Sequence, residues 1–295
     1  ERKLSVGAMA AGGALGILIP PSVPMIMYCI MTGNSVGHMF AGGILPGIMT
    51  AGIFVAYVMI RSILNPKLAP IPQGKMSEAT GLSLGRSIVN SIPIFSIILF
   101  VLFSIYFGIA TPTEAAAIGA FGSGALALIY RRLKVIDIFK SSIDAARIGG
   151  FIIVIFLGAI IFGHAIARAG VAEGMVQWVM ASNLSKYAVL SLILVLLMLL
   201  GCLMDPTPII LTTMPVLYPI AMNAGFDPIY FGVICVMVLE TAAITPPVGF
   251  NLFVLRGIGK DFVSMTDIIV GAAPFILLYL LAIITVIFFP EIITY

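Results

Sequence analysis

From Leu4 to Ile60 the chain contains no Asp, Glu, Lys or Arg. A stretch this apolar has no surface to show to water, and it sits in a chain with only 9% charged residues against 61% hydrophobic ones and a mean hydropathy of +1.20. A soluble domain carries about 25% charged residues. The apolar runs are about 20 residues long, which suits helices crossing a hydrocarbon core; a membrane barrel would show shorter alternating segments. The sequence therefore predicts an all-α protein that passes several times through a lipid bilayer. Its net charge of +3 sits in loops, where it sets orientation rather than binding nucleic acid. Cys29, Cys202 and Cys235 lie scattered in apolar runs without metal-ligand spacing and read as small hydrophobes.

Two proline pairs, Pro20-Pro21 and Pro246-Pro247, interrupt runs that would otherwise be ordinary spans. Proline has no N–H and its ring clashes with the preceding turn, so a helix stops at each pair. In hydrocarbon the freed backbone groups are costly, and such a break survives only where it is buried in protein or lines a polar cavity. Broken helices at corresponding places in two halves mark the binding site of many secondary transporters.

Reading apolar runs against breakers gives a broken span over residues 4–33, interrupted near 17–22, and a span over 39–64. A polar, cytoplasmic loop follows over 65–86, then a span over 87–109. Thr111-Pro112-Thr113-Glu114 is a helix start, with Thr as cap, Pro first and Glu third, and it opens a span over 113–130. Residues 135–147 alternate as a surface-lying helix does, and a span over 149–169 follows. Residues 171–184, with Trp178, read as interfacial. The stretch 187–224 is cut at Met204-Asp205-Pro206-Thr207 into arms too short to cross comfortably, so it predicts a re-entrant hairpin with Asp205 at its tip. A second broken span, 230–258, and a final span, 265–289, complete the chain.

Lys and Arg set the orientation. Arg2, Lys3, the 65–86 loop, the 131–147 segment, Arg256 and Lys260 all fall on the cytoplasmic side if residues 187–224 enter and leave on the other. The two broken helices are then antiparallel. Aligning the proline pairs also aligns Gly33 with Gly259 and, after two inserted residues, Gly43–Pro46 with Gly271–Pro274. Similar sequence in opposite orientation predicts an inverted repeat, residues 1–64 being the second part of repeat 1 and 87–295 repeat 2. The first repeat's own hairpin is expected in sequence before Glu1, which makes the chain the C-terminal part of a longer polypeptide.

The candidate site residues cluster at these breaks. An unwound turn frees carbonyl oxygens, which a hard cation such as sodium accepts, and the helix start beyond it presents N–H groups to an anion; the alternative is a structural kink satisfied by neighbours. Asp205 is the only acid between Gly174 and Phe226. It is a good helix cap and also an intramembrane carboxylate, the two roles being compatible. Arg168 either snorkels to an interface or clamps a substrate carboxylate. His164 shares its helix face. Glu240, just before the second break, could coordinate a cation, accept a proton or pair with buried donors. Two histidines on different elements, without HExxH or GxSxG, make enzymatic chemistry a weak reading; an intramembrane enzyme would need Asp205 and His164 within hydrogen-bond reach.

The segments GALGILIPPSVPMIMY, FAGGILPGI, TPTEAAAIGA, MDPTPIILTTMPVLYPI, GFDPIYFGV and ITPPVGFNLFVLRGI resemble the large membrane subunit of tripartite ATP-independent periplasmic (TRAP) transporters over essentially the whole chain. The resemblance implies a sodium-coupled importer of organic acids such as sialic acid, C4-dicarboxylates or other sugar acids. It implies an elevator-type fold in a bacterial inner membrane, a periplasmic binding protein that delivers substrate, and a small membrane subunit, separate or fused. It places sodium-binding positions on Gly16, Ile17, Ile19 and Pro20, on Met204, Asp205 and Thr207 of the hairpin tip, and on Thr241, Ala243, Thr245 and Pro246. Substrate contacts are expected at Asp205, Arg168 and Ser22. A proton-coupled anion transporter of the same repeat logic is the alternative. Beyond the coupling ion Na+ no cofactor is expected.

Overall fold

The two proline pairs act as expected on the backbone. In the computed structural model, which describes residues 2–66, 84–130, 134–259 and 263–293, helix α1 (Arg2–Leu18) stops before Pro20-Pro21 and α2 (Val23–Thr32) starts just after it. Helix α10 (Pro228–Ala243) stops before Pro246-Pro247, and α11 (Phe250–Ile258) resumes beyond it. Both Pro-Pro peptide bonds are cis.

The remaining elements are α3 (Val36–Leu64), α4 (Leu84–Tyr106), α5 (Pro112–Ile129), α6 (Val135–Arg168), α7 (Val171–Ala181), α8 (Lys186–Gly201), α9 (Pro206–Asn223), α12 (Met265–Phe288) and a 3₁₀ turn over Pro290–Ile292. Among the described residues there is no strand. Among the described residues six stretches are long and apolar enough to cross a membrane: Arg2–Thr32, Val36–Leu64, Val89–Tyr106, Pro112–Ile129, Val135–Arg168 and Met265–Phe288. Residues 67–83 of the expected cytoplasmic loop lie outside the described residues, as do Arg131, Arg132 and Lys260.

Local signals explain most boundaries. The start of α5 is a full capping box: the Thr111 hydroxyl accepts from the Glu114 N–H, and the Glu114 carboxylate accepts from the Thr111 N–H at 2.8 Å. Ser22, Ser35, Ser185, Asp205, Asp227 and Ser264 cap α2, α3, α8, α9, α10 and α12. Gly33 ends α2 in the left-handed region that glycine enters without strain. Gly259, its counterpart in the sequence alignment, ends α11 at a negative φ. The segment expected to lie on the surface, 135–147, is instead continuous with the span after it. Helix α6 runs unbroken for 34 residues, about 51 Å at 1.5 Å per residue. Gly149-Gly150 weakens helix propensity by only about 1 kcal/mol per residue, too little to halt it.

The chain divides into two compact units, one of residues 1–69 with 155–295, the other of residues 70–154. Within the smaller, α4 packs on α5 where Gly119 and Gly122 meet the side chains of Val101 and Ile97. Most of its large apolar side chains, among them Phe95, Phe100, Phe121 and Phe151, point outward, as on a lipid-facing surface.

The larger unit is built around α10, in which every residue from Ile229 to Ala243 is buried. A helix apolar on all sides belongs in a core. Helices α8, α12, α1, α3, α9 and α2 pack against it. The most extensive helix pair in the unit is α1 on α12. It crosses at Gly7 and Gly271, where a Cβ on either glycine would overlap the other helix's backbone. Small residues at such crossings let helix backbones approach where no hydrophobic force separates helix from lipid. Antiparallel α8 and α9 form the expected hairpin, with residues 202–205 at its tip. The arms are about 24 and 27 Å long, short of a full crossing.

Candidate functional site

Each proline pair leaves two carbonyls without their helical donors. In an α-helix the carbonyl of residue i accepts from the N–H of residue i+4. Pro20 and Pro21 have no N–H, so the carbonyls of Gly16 and Ile17, in the last turn of α1, lose that partner. Pro246 and Pro247 do the same to Ala242 and Ala243 at the end of α10. The Ala242 carbonyl is recovered by the Thr245 N–H at 2.9 Å. The Thr241 carbonyl accepts both the Ile244 N–H at 3.2 Å and the Thr245 hydroxyl at 2.7 Å. The Thr241 hydroxyl, fully buried, donates to the Met237 carbonyl. The first unwound turn covers residues 19–22 and the second 244–249.

The hairpin tip meets the second break directly. The Gly249 N–H, at a left-handed φ of 60°, donates to the Cys202 carbonyl at 3.1 Å. Gly201 lies against Leu239 and Ala242, close enough that a Cβ there would stand 2.5 Å from that of Ala242. The tip carries Met204 and Asp205, with Thr207 at the start of α9, and the break it meets carries Thr241, Ala243, Thr245 and Pro246. Asp205 is half-buried and caps α9 by accepting the Thr207 N–H at 2.9 Å, which leaves its second carboxylate oxygen available. Met204 is half-exposed.

At the first break, Pro20 is buried while Gly16 and Ile19 are exposed, and the Ile19 side chain covers Gly47 of α3. Ser22, 1% exposed, spends its hydroxyl on the Met25 N–H as the cap of α2. Arg168 is the exposed last residue of α6 and His164 an exposed residue one turn earlier. Among the described residues no hydrogen bond or ion pair joins either to Asp205.

Sodium at the second break would find hard oxygen donors: the Ala243 carbonyl released by proline, threonine hydroxyls and, on the tip, the Asp205 carboxylate. That donor set fits a monovalent hard cation. Among the described residues no group of three His, Cys, Asp or Glu side chains gathers as a transition metal would require.

Sequence reasoning passed over Gly201, the last residue of α8, and the bond by which the Gly249 N–H ties break to hairpin. The signal for each was a glycine beside a helix end, where backbone can approach closely.

The family model for the tripartite ATP-independent periplasmic transporter, DctM component, matches residues 1–292. The chain is 33% identical, over 97% of its length and 65% of the relative's, to the C4-dicarboxylate TRAP transporter large permease protein DctM of Pseudomonas aeruginosa. It is 32% identical over 98% of its length to the isethionate TRAP transporter permease protein DctMQ of Oleidesulfovibrio alaskensis, of which it spans 44%. It is 30% identical, again over 98%, to the sialic acid TRAP transporter permease protein SiaT of Haemophilus influenzae, of which it spans 46%. A match along nearly the whole chain, proline pairs and hairpin included, makes this chain a member of the DctM component family of tripartite ATP-independent periplasmic transporters.

Proposed function

We propose that the chain forms the ion- and solute-handling core of a sodium-coupled importer for a carboxylate-bearing organic acid, working in a bacterial inner membrane. The observation that carries this reading is the contact between the hairpin tip and the second proline break, sealed by the Gly249 to Cys202 hydrogen bond. The tip carries a carboxylate, and the break it meets carries two threonines and carbonyls released by its prolines. Sodium held there orders the tip, and an ordered tip presents the α9 N-terminus and Asp205 to the solute. The ordering cost is then shared between ion and solute, which couples them.

An inverted repeat supports alternating access. Helix α1 packs on α3 as α10 packs on α12, and α2 lies on α3 as α11 lies on α12. Pro46 and Pro274 fall inside the two spans that correspond. Sliding of a transport domain against a scaffold is the motion we assign to this architecture. The names of the relatives point to C4-dicarboxylates, isethionate and sialic acid, solutes that share an acidic group. A periplasmic binding protein would deliver the solute. A small membrane subunit would flank the permease, separate or joined to it.

Uptake by the complete transporter in vesicles, at fixed pH with sodium replaced by potassium, tests the coupling. Uptake is expected to collapse in potassium. Uptake that persists and follows pH instead would establish the proton-coupled alternative. Arg168→Lys tests the clamp: a point-charge ammonium lacks the bidentate fork, so solute affinity is expected to fall about tenfold or more. Retained affinity would leave Arg168 as an interfacial anchor.

A further inference from the structure

Glu240 is fully buried in the central helix, and neither carboxylate oxygen has a hydrogen-bond partner among the described residues. Tyr279 of α12 is fully buried as well, and its hydroxyl is likewise without a partner. The two belong together. The Tyr230 hydroxyl, near the start of α10, donates to the Ile287 carbonyl, near the end of α12. Equal rise along two antiparallel helices from that bond brings Glu240 level with Leu277, within one turn of Tyr279.

Three oxygen atoms thus sit sealed in a core with nothing to bond. An isolated carboxylate in such a place is among the most costly groups a protein can bury, and a second carboxylate nearby raises the cost. A cation removes both penalties at once. The donors are hard oxygens, and one carboxylate with one phenol matches a single positive charge better than a divalent ion. Gly201, the last residue of α8, lies against Leu239 and Ala242 on the turn of α10 that carries Glu240.

We infer that Glu240 and Tyr279 form the inner wall of a sodium site behind the second proline break, with the hairpin tip as its cover. The inference rests on the sodium reading given above, and its test separates the two. The full-length permease, purified together with any membrane subunit that accompanies it, is titrated with sodium chloride against choline chloride. Thermal stability and binding of radioactive sodium are both read. In the unaltered protein sodium raises the unfolding temperature and saturates. Glu240→Gln keeps the side-chain shape, and it is expected to raise the half-saturating sodium concentration about tenfold or more. Tyr279→Phe removes one oxygen and is expected to raise it severalfold; it carries the test where Glu240→Gln lowers the yield of folded protein. Unchanged half-saturation in both variants, beside a sodium-responsive parent, overturns the inference and leaves the sodium reading standing. A parent that binds and responds to sodium no more than to choline overturns both.

Discussion

Replacing Asp205 by alanine is expected to abolish sodium-driven uptake while leaving the protein folded. The side chain performs two tasks that substitution can separate. One oxygen caps α9 through the Thr207 N–H at 2.9 Å, and losing such a cap costs about 1 kcal/mol, a small part of the 5–15 kcal/mol that holds a domain together. The other task is charge. Asp205 is the only acid on the hairpin, held half-buried where the tip meets the second break. Removing one partner of a buried ion pair costs ~3–5 kcal/mol, and at a half-buried position the lower end applies, roughly two orders of magnitude in sodium-driven uptake. Asp205→Asn isolates the second task, since asparagine caps as well as aspartate. That variant is expected to melt with the parent protein and still fail in uptake. Uptake at the parental rate by Asp205→Ala in reconstituted vesicles would remove the residue from the mechanism. Full uptake by Asp205→Asn alone would reduce its role to the cap.

The features that the sequence announced are those in which a single residue imposes the local structure. Pro20-Pro21 and Pro246-Pro247 stop their helices because adjacent prolines remove two donors at once and crowd the preceding turn, whereas the single Pro46 and Pro274 leave α3 and α12 continuous. Thr111 and Glu114 close their capping box because all the groups involved lie within one turn. The helix start at Asp205 was legible because aspartate caps and proline suits the first helical position. Where the reading fell short, the deciding contact joins residues far apart in the chain. Nothing around Gly149-Gly150 shows that α6 continues through them, because helix continuation there depends on packing and surroundings rather than on propensity.

The same division runs through the candidate site. Proline-released carbonyls at Gly16, Ile17 and Ala243 follow from the i to i+4 rule alone. The Gly249 to Cys202 bond depends on the fold, as does the burial of Glu240 and of Tyr279. Ser22 shows a local role beside an expected one. The resemblance placed a solute contact there, and the structure shows its hydroxyl accepting the Met25 N–H as the cap of α2. A serine at a break offers the chain a cap before it offers a ligand anything.

Gly271→Ala and Gly7→Ala should each destabilise the protein severely, and larger side chains at either place should prevent its accumulation in the membrane. At the α1–α12 crossing a Cβ on Gly7 would overlap the carbonyl of Gly271, and a Cβ on Gly271 would overlap the carbonyl of Lys3. The obstacle is backbone on both sides, so no rotamer change relieves it and the helices must move apart along their whole contact. Overpacking that side chains can absorb costs about 1–3 kcal/mol; an obstacle that cannot rotate away belongs at or above the top of that range. Separation would also disturb the break that α1 carries into α2, and the packing of α12 on α10. The same helix supplies the control. Gly12 and Gly13 have nothing within 4 Å of where a Cβ would stand. Alanine there relieves only the conformational freedom of glycine and is expected to be neutral or to stabilise by about 0.5–1 kcal/mol. Unfolding temperature in detergent, with the fraction of monodisperse protein, reads the comparison. Gly271→Ala melting with Gly12→Ala would mean that the two helices do not cross in contact at these glycines.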